Sequence, residues 1–180
     1  TNLIVGGTAD NNGTVTITGS LSGNSVLTNS ATGTVIWQGT SVSGKVINAA
    51  TPGNNIQLVN NTGGNININL FASTDIFGHL TLGGANAFIQ GSNTSILGNL
   101  TIQPSAIFNV PSGNINLNIA GNLVNNGSFT ATTGTVTFNG TTTISGASTS
   151  SFNHVVISGC VTPTSSFNLR GNFTNNGSFV

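Results

Sequence analysis

Side chains able to do chemistry are so scarce in this chain that they can be taken one by one. There are two carboxylates, Asp10 and Asp75, two cations, Lys45 and Arg170, two imidazoles, His79 and His154, and one thiol, Cys160. Glycoside hydrolysis needs a pair of carboxylic side chains flanking the bond. Asp10 and Asp75 are too far apart in sequence to share a turn of any repeat. A lyase needs clustered positive charge or a metal against the developing anion, and Lys45 and Arg170 are also far apart. Asp75 and His79, four residues apart, could meet across a bend. They would supply two metal ligands where three or four are usual, so a polar corner with a hydrogen bond is the expectation. No catalytic residue, cofactor or metal is expected, and the chain is not expected to be an enzyme. Cys160, alone in Ser158-Gly159-Cys160-Val161, excludes an internal disulfide. It is expected as a buried apolar thiol, with an interchain disulfide as the sharper alternative.

The elements that would carry these residues follow from composition. Only 2% of the 180 residues are charged, while 36% are hydrophobic and 25 are glycine. Disordered chains are poor in β-branched and aromatic residues and rich in net charge, so this one should fold. Two basic residues cannot displace the counterions of a nucleic acid. No apolar run is long enough for a transmembrane helix, and one Trp without Tyr cannot build the aromatic girdles of a membrane barrel. Neither nucleic acid nor membrane insertion is expected.

Internal repeats organise the chain. Gly13-Thr14-Val15 returns as Gly33-Thr34-Val35, and Gly78-His79-Leu80-Thr81 as Gly98-Asn99-Leu100-Thr101, in steps of about 20. The nine-residue phrase from Gly121 to Phe129 returns from Gly171 to Phe179, and the phrase from Gly64 to Leu70 returns from Gly113 to Ile119, in steps of about 50. Thr32 to Thr40 matches Thr133 to Thr141. These spacings suggest coils of roughly 20–25 residues with a superperiod of two coils. Inside each coil apolar and polar residues alternate, as in Thr14-Val15-Thr16-Ile17-Thr18, which is the period of a half-buried strand. Asn and Gly at the ends tolerate the left-handed backbone of tight bends.

A β-sandwich is the rival fold, because Asn-Gly also closes hairpins, but a sandwich has no reason to reuse one phrase at fixed intervals. The expectation is therefore all-β, with no helices: a right-handed parallel β-helix running as one array over 1–180. About seven to nine coils, stacked about 4.8 Å apart, give a rod on the order of 35–45 Å long. Its interior would hold Val15, Val35, Ile68, Leu117, Val136, Phe138 and Val156, and Trp37 would fill the slot Phe138 takes in the matching repeat. A solvent-facing Trp37 that stacks on sugar is the alternative. His154 is expected to face outward, and stacked asparagines to bond in ladders along the axis.

The phrases Gly121 to Thr130 and Gly134 to Thr141, followed by Thr143-Ile144-Ser145-Gly146, are similar to repeats of very large secreted bacterial β-helix proteins. Those include haemagglutinin-like adhesins and autotransporter passenger-like surface proteins. The resemblance is closest from Gly98 to Val180. It implies a secreted, cell-surface, non-catalytic rod with an adhesive or structural role, and carries no catalytic residues to transfer.

Solenoid ends are unpaired edges that natural arrays protect with polar caps or charge. Asn2-Leu3-Ile4-Val5 and Phe179-Val180 show neither, so Leu3, Ile4, Val5, Phe179 and Val180 are the expected assembly ends. The expected partner is a second copy, head to tail or side by side, in an extracellular filament or sheath. The chain would then be a mature subunit or a piece of something longer. Carbohydrate or cell-surface binding by an adhesin stalk is the alternative. Ice binding is a weaker one, because Asn65 to Asn69 and Asn114 to Asn118 interrupt the threonine faces.

Overall fold

A computed structural model describes residues 3–4, 9–11, 13–17, 21–22, 27–29, 34–37, 47–48, 55–60, 65–68, 74–111 and 115–180, with side chains at 13–16, 36, 57–60, 65, 77–111 and 115–180. It is an all-β parallel solenoid of about five turns, without a helix among the described residues. From Ile66 to Phe179 each turn lays one short strand on each of three sheets, with short bends between them among the described residues. The longest sheet has nine strands, from Thr14–Ile17 at one edge to Ser178–Phe179 at the other. A second sheet of six runs from Thr74–Phe77 to Phe173–Asn175, and a third of six from Ile66–Ile68 to Phe167–Leu169. Ala9–Asn11, Leu27–Asn29 and Ile47–Asn48 form a separate three-stranded sheet, and Leu3–Ile4 pairs with Leu21–Ser22.

The strands form for the reason their pattern suggests. Runs such as Thr135-Val136-Thr137-Phe138 alternate half-buried and buried positions, so one face is dry and the other wet. Like residues then stack. Leu80 pairs with Leu100, Leu100 with Leu123 and Leu123 with Ile144, and all four are buried. Phe88, Phe108 and Phe129 form a second column. From Phe108 an aromatic ladder climbs through Phe129 and Phe152 to Phe167, with ring centroids 5.7, 5.4 and 5.5 Å apart. Each buried ring contributes roughly 1.5–3 kcal/mol of apolar burial.

Both 20-residue repeats stack in register, Thr14 on Thr34 and Leu80 on Leu100. The 50-residue repeats do not, which removes the two-coil superperiod. Leu123–Asn125 lies on the long sheet, whereas its counterpart Phe173–Asn175 lies on the second. Ile66–Ile68 lies on the third sheet and its counterpart, Asn116–Ile119, on the second; Thr34–Trp37 and Thr135–Phe138 also fall on different sheets. The phrase encodes a strand, a corner and the next strand, and corners on different sides of the coil accept it. Its return therefore marks a corner and not a turn number. Turn length runs from 24 residues, Asn55 to His79, down to 17, Ser150 to Phe167. The last turns, at 17 to 18 residues, are shorter than the expected coil of roughly 20–25.

Of the expected core, Leu117, Val136 and Phe138 are buried, and Val15 is partly buried against the core. Val156 is a correction. It is half-buried on the outer face, between the buried Val155 and Ile157. Three apolar residues in a row hide the phase of the alternation, and pairing with Thr137 and Thr174 sets it. The side chains of Val35 and Ile68 lie outside the described residues. Trp37 is on the long sheet, in register with Leu58, and not in the place of Phe138; its side chain also lies outside the described residues.

Candidate functional site: corner ladders and an open core end

The chemistry-bearing residues are dispersed. Asp10 lies on a strand paired with Leu27–Asn29, and Asp75 on one paired with Asn93–Ile96. Lys45 and the side chains of both aspartates lie outside the described residues. Asp75 sits within a strand, in register with Thr94, and not at the corner, which is Gly78. Arg170 is exposed at the bend after Phe167–Leu169, its N–H donating to the Phe152 carbonyl at 3.0 Å. Cys160 is a free, half-buried thiol opening a strand between Thr141 and Ser178, so it is not the fully buried thiol expected. Among the described residues no group of three or more His, Cys, Asp or Glu could hold a metal ion.

The polar side chains are instead spent on the corners. Asn99 Oδ1 accepts the Asn122 N–H at 2.9 Å, and Asn122 Oδ1 accepts the Thr143 N–H at 2.8 Å. Asn93 Oδ1 does the same for the Asn116 N–H, and Asn126 Oδ1 for that of Ala147. The ladders thus run from side chain to backbone, one turn to the next, where asparagine-to-asparagine stacking was expected. A half-buried N–H without an acceptor is costly, and Asn122, at the corner before Leu123–Asn125, and Thr143, within Thr141–Ser145, each find theirs on a side chain of the preceding turn. We expect Asn122→Ala to lower stability by about 1 kcal/mol in urea unfolding, the worth of one such bond. Asn122→Asp, which keeps an acceptor, should lose less. Equal losses in the two variants would show that the bond does not matter.

Two buried carboxamides anchor other bends. Asn60 Nδ2 donates to the Ala87 carbonyl at 2.9 Å, and Asn125 Nδ2 to Ser150 Oγ at 3.1 Å. Above them sit glycines with positive φ, Gly84 at 92° above Asn60 and Gly146 at 119° above Asn125. Nothing in the sequence pattern singled out these two glycines among the 25.

At the C-terminal end the core is open. Phe173 and Phe179 are each 42% exposed and Val180 is 75% exposed. Phe179 continues the aromatic ladder, 6.3 Å from Phe167, and packs edge-on against Phe173 at 5.5 Å. Together with Phe138, Phe152 and Phe167 they line an apolar hollow. Phe167–Leu169, Phe173–Asn175 and Ser178–Phe179 are the last strands of their three sheets. At the opposite end Thr14–Ile17, Ala9–Asn11 and Leu3–Ile4 are the outermost strands of theirs. The side chains of Leu3 and Ile4, and the whole of Val5, lie outside the described residues. Phe173 escaped the sequence reading because it replaces Leu123 in the repeated phrase, and Leu123 is fully buried.

Comparison with protein-family models, with curated proteins and with solved structures found no match.

Proposed function

We propose that this chain is a non-catalytic structural subunit of an extracellular, cell-surface filament or sheath of bacterial origin, self-associating through the ends of its solenoid. Its coil is right-handed, the usual sense of parallel crossovers, and runs through seven to nine turns, a count supported by the nine strands of the long sheet. What supports the reading is the stack itself: parallel strands pair from turn to turn, a phenylalanine ladder runs along the axis, and the formal net charge is zero. Every pairing among the described residues is parallel, so a C-terminal edge is complementary to an N-terminal one and not to itself. Contact is then head to tail, a heterologous contact that propagates and does not close.

Two half-blocked variants test this. Phe179→Lys charges the C-terminal end, and Val15→Lys the N-terminal one. The wild type should form fibres under negative-stain microscopy, each variant alone should stay monomeric in sedimentation, and their mixture should stop at dimers. Fibres from both variants separately would mean lateral association. Wild-type protein monomeric at all concentrations would overturn the filament and favour the second reading, a stalk segment of a large adhesin. That reading draws on the uncharged outward column Ser95, Asn118, Thr137 of the second sheet, a surface of the kind that meets carbohydrate. Glycan binding by the monomer would support it.

A further inference from the structure

Polar side chains at the corner leading from the second sheet to the long one form an axial series. His79 Nδ1 accepts the Asn99 N–H at 2.9 Å, Asn99 Oδ1 the Asn122 N–H, and Asn122 Oδ1 the Thr143 N–H. At the corner leading onto the second sheet, His154 Nδ1 accepts the Asn172 N–H at 3.0 Å in the same way. Asn139 stands at the first of these corners in the turn after Asn122, between Thr135–Phe138 and Thr141–Ser145, and does not join the series. It is exposed, its own N–H donates to the Ile119 carbonyl at 3.1 Å, and its carboxamide meets no partner. The next residue is the half-buried Gly140, whose N–H is also unbonded.

An asparagine followed by glycine carries its own nucleophile. Glycine has no Cβ to shield its nitrogen, so that nitrogen can reach the carbonyl carbon of the asparagine side chain. Four Asn-Gly pairs occur, at Asn12, Asn126, Asn139 and Asn176. Asn12 lies outside the described residues. Asn126 Oδ1 is held by the Ala147 N–H at 3.0 Å, and the Gly177 N–H is held by Asn175 Oδ1 at 3.1 Å. Among the described residues, both reacting groups are unengaged only at Asn139 and Gly140.

We propose that Asn139–Gly140 is a self-modification site, at which the rod converts its own asparagine into aspartate and iso-aspartate. The Gly140 nitrogen gives up its proton to water and bonds to Asn139 Cγ. The Cγ–Nδ2 bond breaks, and the nitrogen leaves as ammonia, taking up a proton. A succinimide ring remains between side chain and main chain. Water then adds to one of its two carbonyls and opens it. Opening at Cγ gives aspartate, and opening at the main-chain carbonyl gives iso-aspartate. The sum is amide plus water to carboxylate plus ammonia, with nothing oxidised or reduced. Formal net charge is zero before the change, so the new carboxylate takes it to minus one. Like-charged rods repel, which opposes side-by-side contact. Iso-aspartate also adds a main-chain carbon just before Gly140, whose carbonyl holds the Cys160 N–H at 2.9 Å and lies under Gly159. The next turn is then displaced from its seat at this corner.

The test reads single peptides, so it does not depend on the filament. The intact protein is held in neutral buffer, native or in urea, sampled over time, digested and read by mass spectrometry. Native protein should convert Asn139 roughly fivefold faster, or more, than Asn126 or Asn176, the rate equivalent of one hydrogen bond that must first break. In urea the three should react alike, because each is an Asn-Gly followed by Ser or Thr. Equal native rates, no conversion at Asn139, or the same ranking in urea as in the native protein would overturn the proposal. The Asn139 product should include iso-aspartate, identified by fragmentation of the peptide. Aspartate alone would mean direct hydrolysis of the amide and would refute the ring closure.

Discussion

Phe129→Ala is expected to lower stability by about 3–5 kcal/mol, the range for removing a fully buried ring from a core that cannot collapse around the loss. The ring is 1% exposed and stands between Phe108 at 5.7 Å and Phe152 at 5.4 Å. Its neighbours are fixed by strand pairing above and below, with Phe108 in register at the preceding turn and Ser150 at the following one. Neither turn can slide inward without breaking its own ladder, so most of the cavity persists. Typical domains have only about 5–15 kcal/mol in total, and the variant should be close to unfolding. Because a solenoid turn contacts only its neighbours, the damage should also be local. Amide exchange should accelerate first at Ile107–Val110 and Ser150–Phe152, on the same sheet, and less at Asn55–Asn60. Leu97→Ala is the control: Leu97 is an apolar residue 43% exposed at a bend, and its loss should cost under about 0.5 kcal/mol. Equal losses at the two positions, or a Phe129→Ala loss below about 1 kcal/mol, would contradict a rigid stacked core.

What the sequence disclosed about this fold depended on which physical constraint each residue answers. Alternation in Thr135-Val136-Thr137-Phe138 and the 20-residue return of Gly-x-Leu-Thr report strand period and turn length directly, because stacked turns demand like residues above one another. The longer phrases misled on architecture for a reason that is itself structural. Gly-Asn-x-x-Asn-Asn-Gly-Ser-Phe serves both the bend from the long sheet to the third and the bend from the second sheet to the long one, so its position along the chain does not say which side it occupies. Val156 failed because Val155-Val156-Ile157 offers no polar residue to fix the phase. The candidate site was only half visible. Phe179 and Val180 stood out as apolar residues at an end, while Phe173 was masked by its likeness to Leu123. His154 looked like an ordinary outward residue and His79 like a polar corner near Asp75, since a hydrogen bond from the next turn's backbone depends on register, which weakly patterned Gly- and Asn-rich strands leave open.

Gly146→Ala should be the most damaging of the conservative glycine substitutions, at about 3 kcal/mol, for two reasons that add. With φ at 119° the backbone lies where an L side chain is strained, at a cost of about 1–3 kcal/mol. A Cβ there would also drive into the carbonyl of Asn125. Asn125 has no room to retreat, because it is completely buried and its Nδ2 is committed to Ser150 Oγ at 3.1 Å and the Ser148 carbonyl at 3.4 Å. Its carbonyl also holds the Ser148 N–H at 2.9 Å. Pushing that peptide away strands polar groups inside the core, which costs about 1–3 kcal/mol for each group left unpaired. Gly13→Ala separates these effects from the general gain in chain stiffness that any Gly→Ala change brings. Nothing lies within 4 Å of a Cβ at Gly13, so that variant should be neutral or slightly more stable in thermal and urea unfolding. If Gly146→Ala matched it, the bend over Asn125 would be adaptable. The buried carboxamide would then be a passenger in the corner and not the post on which the turn is hung.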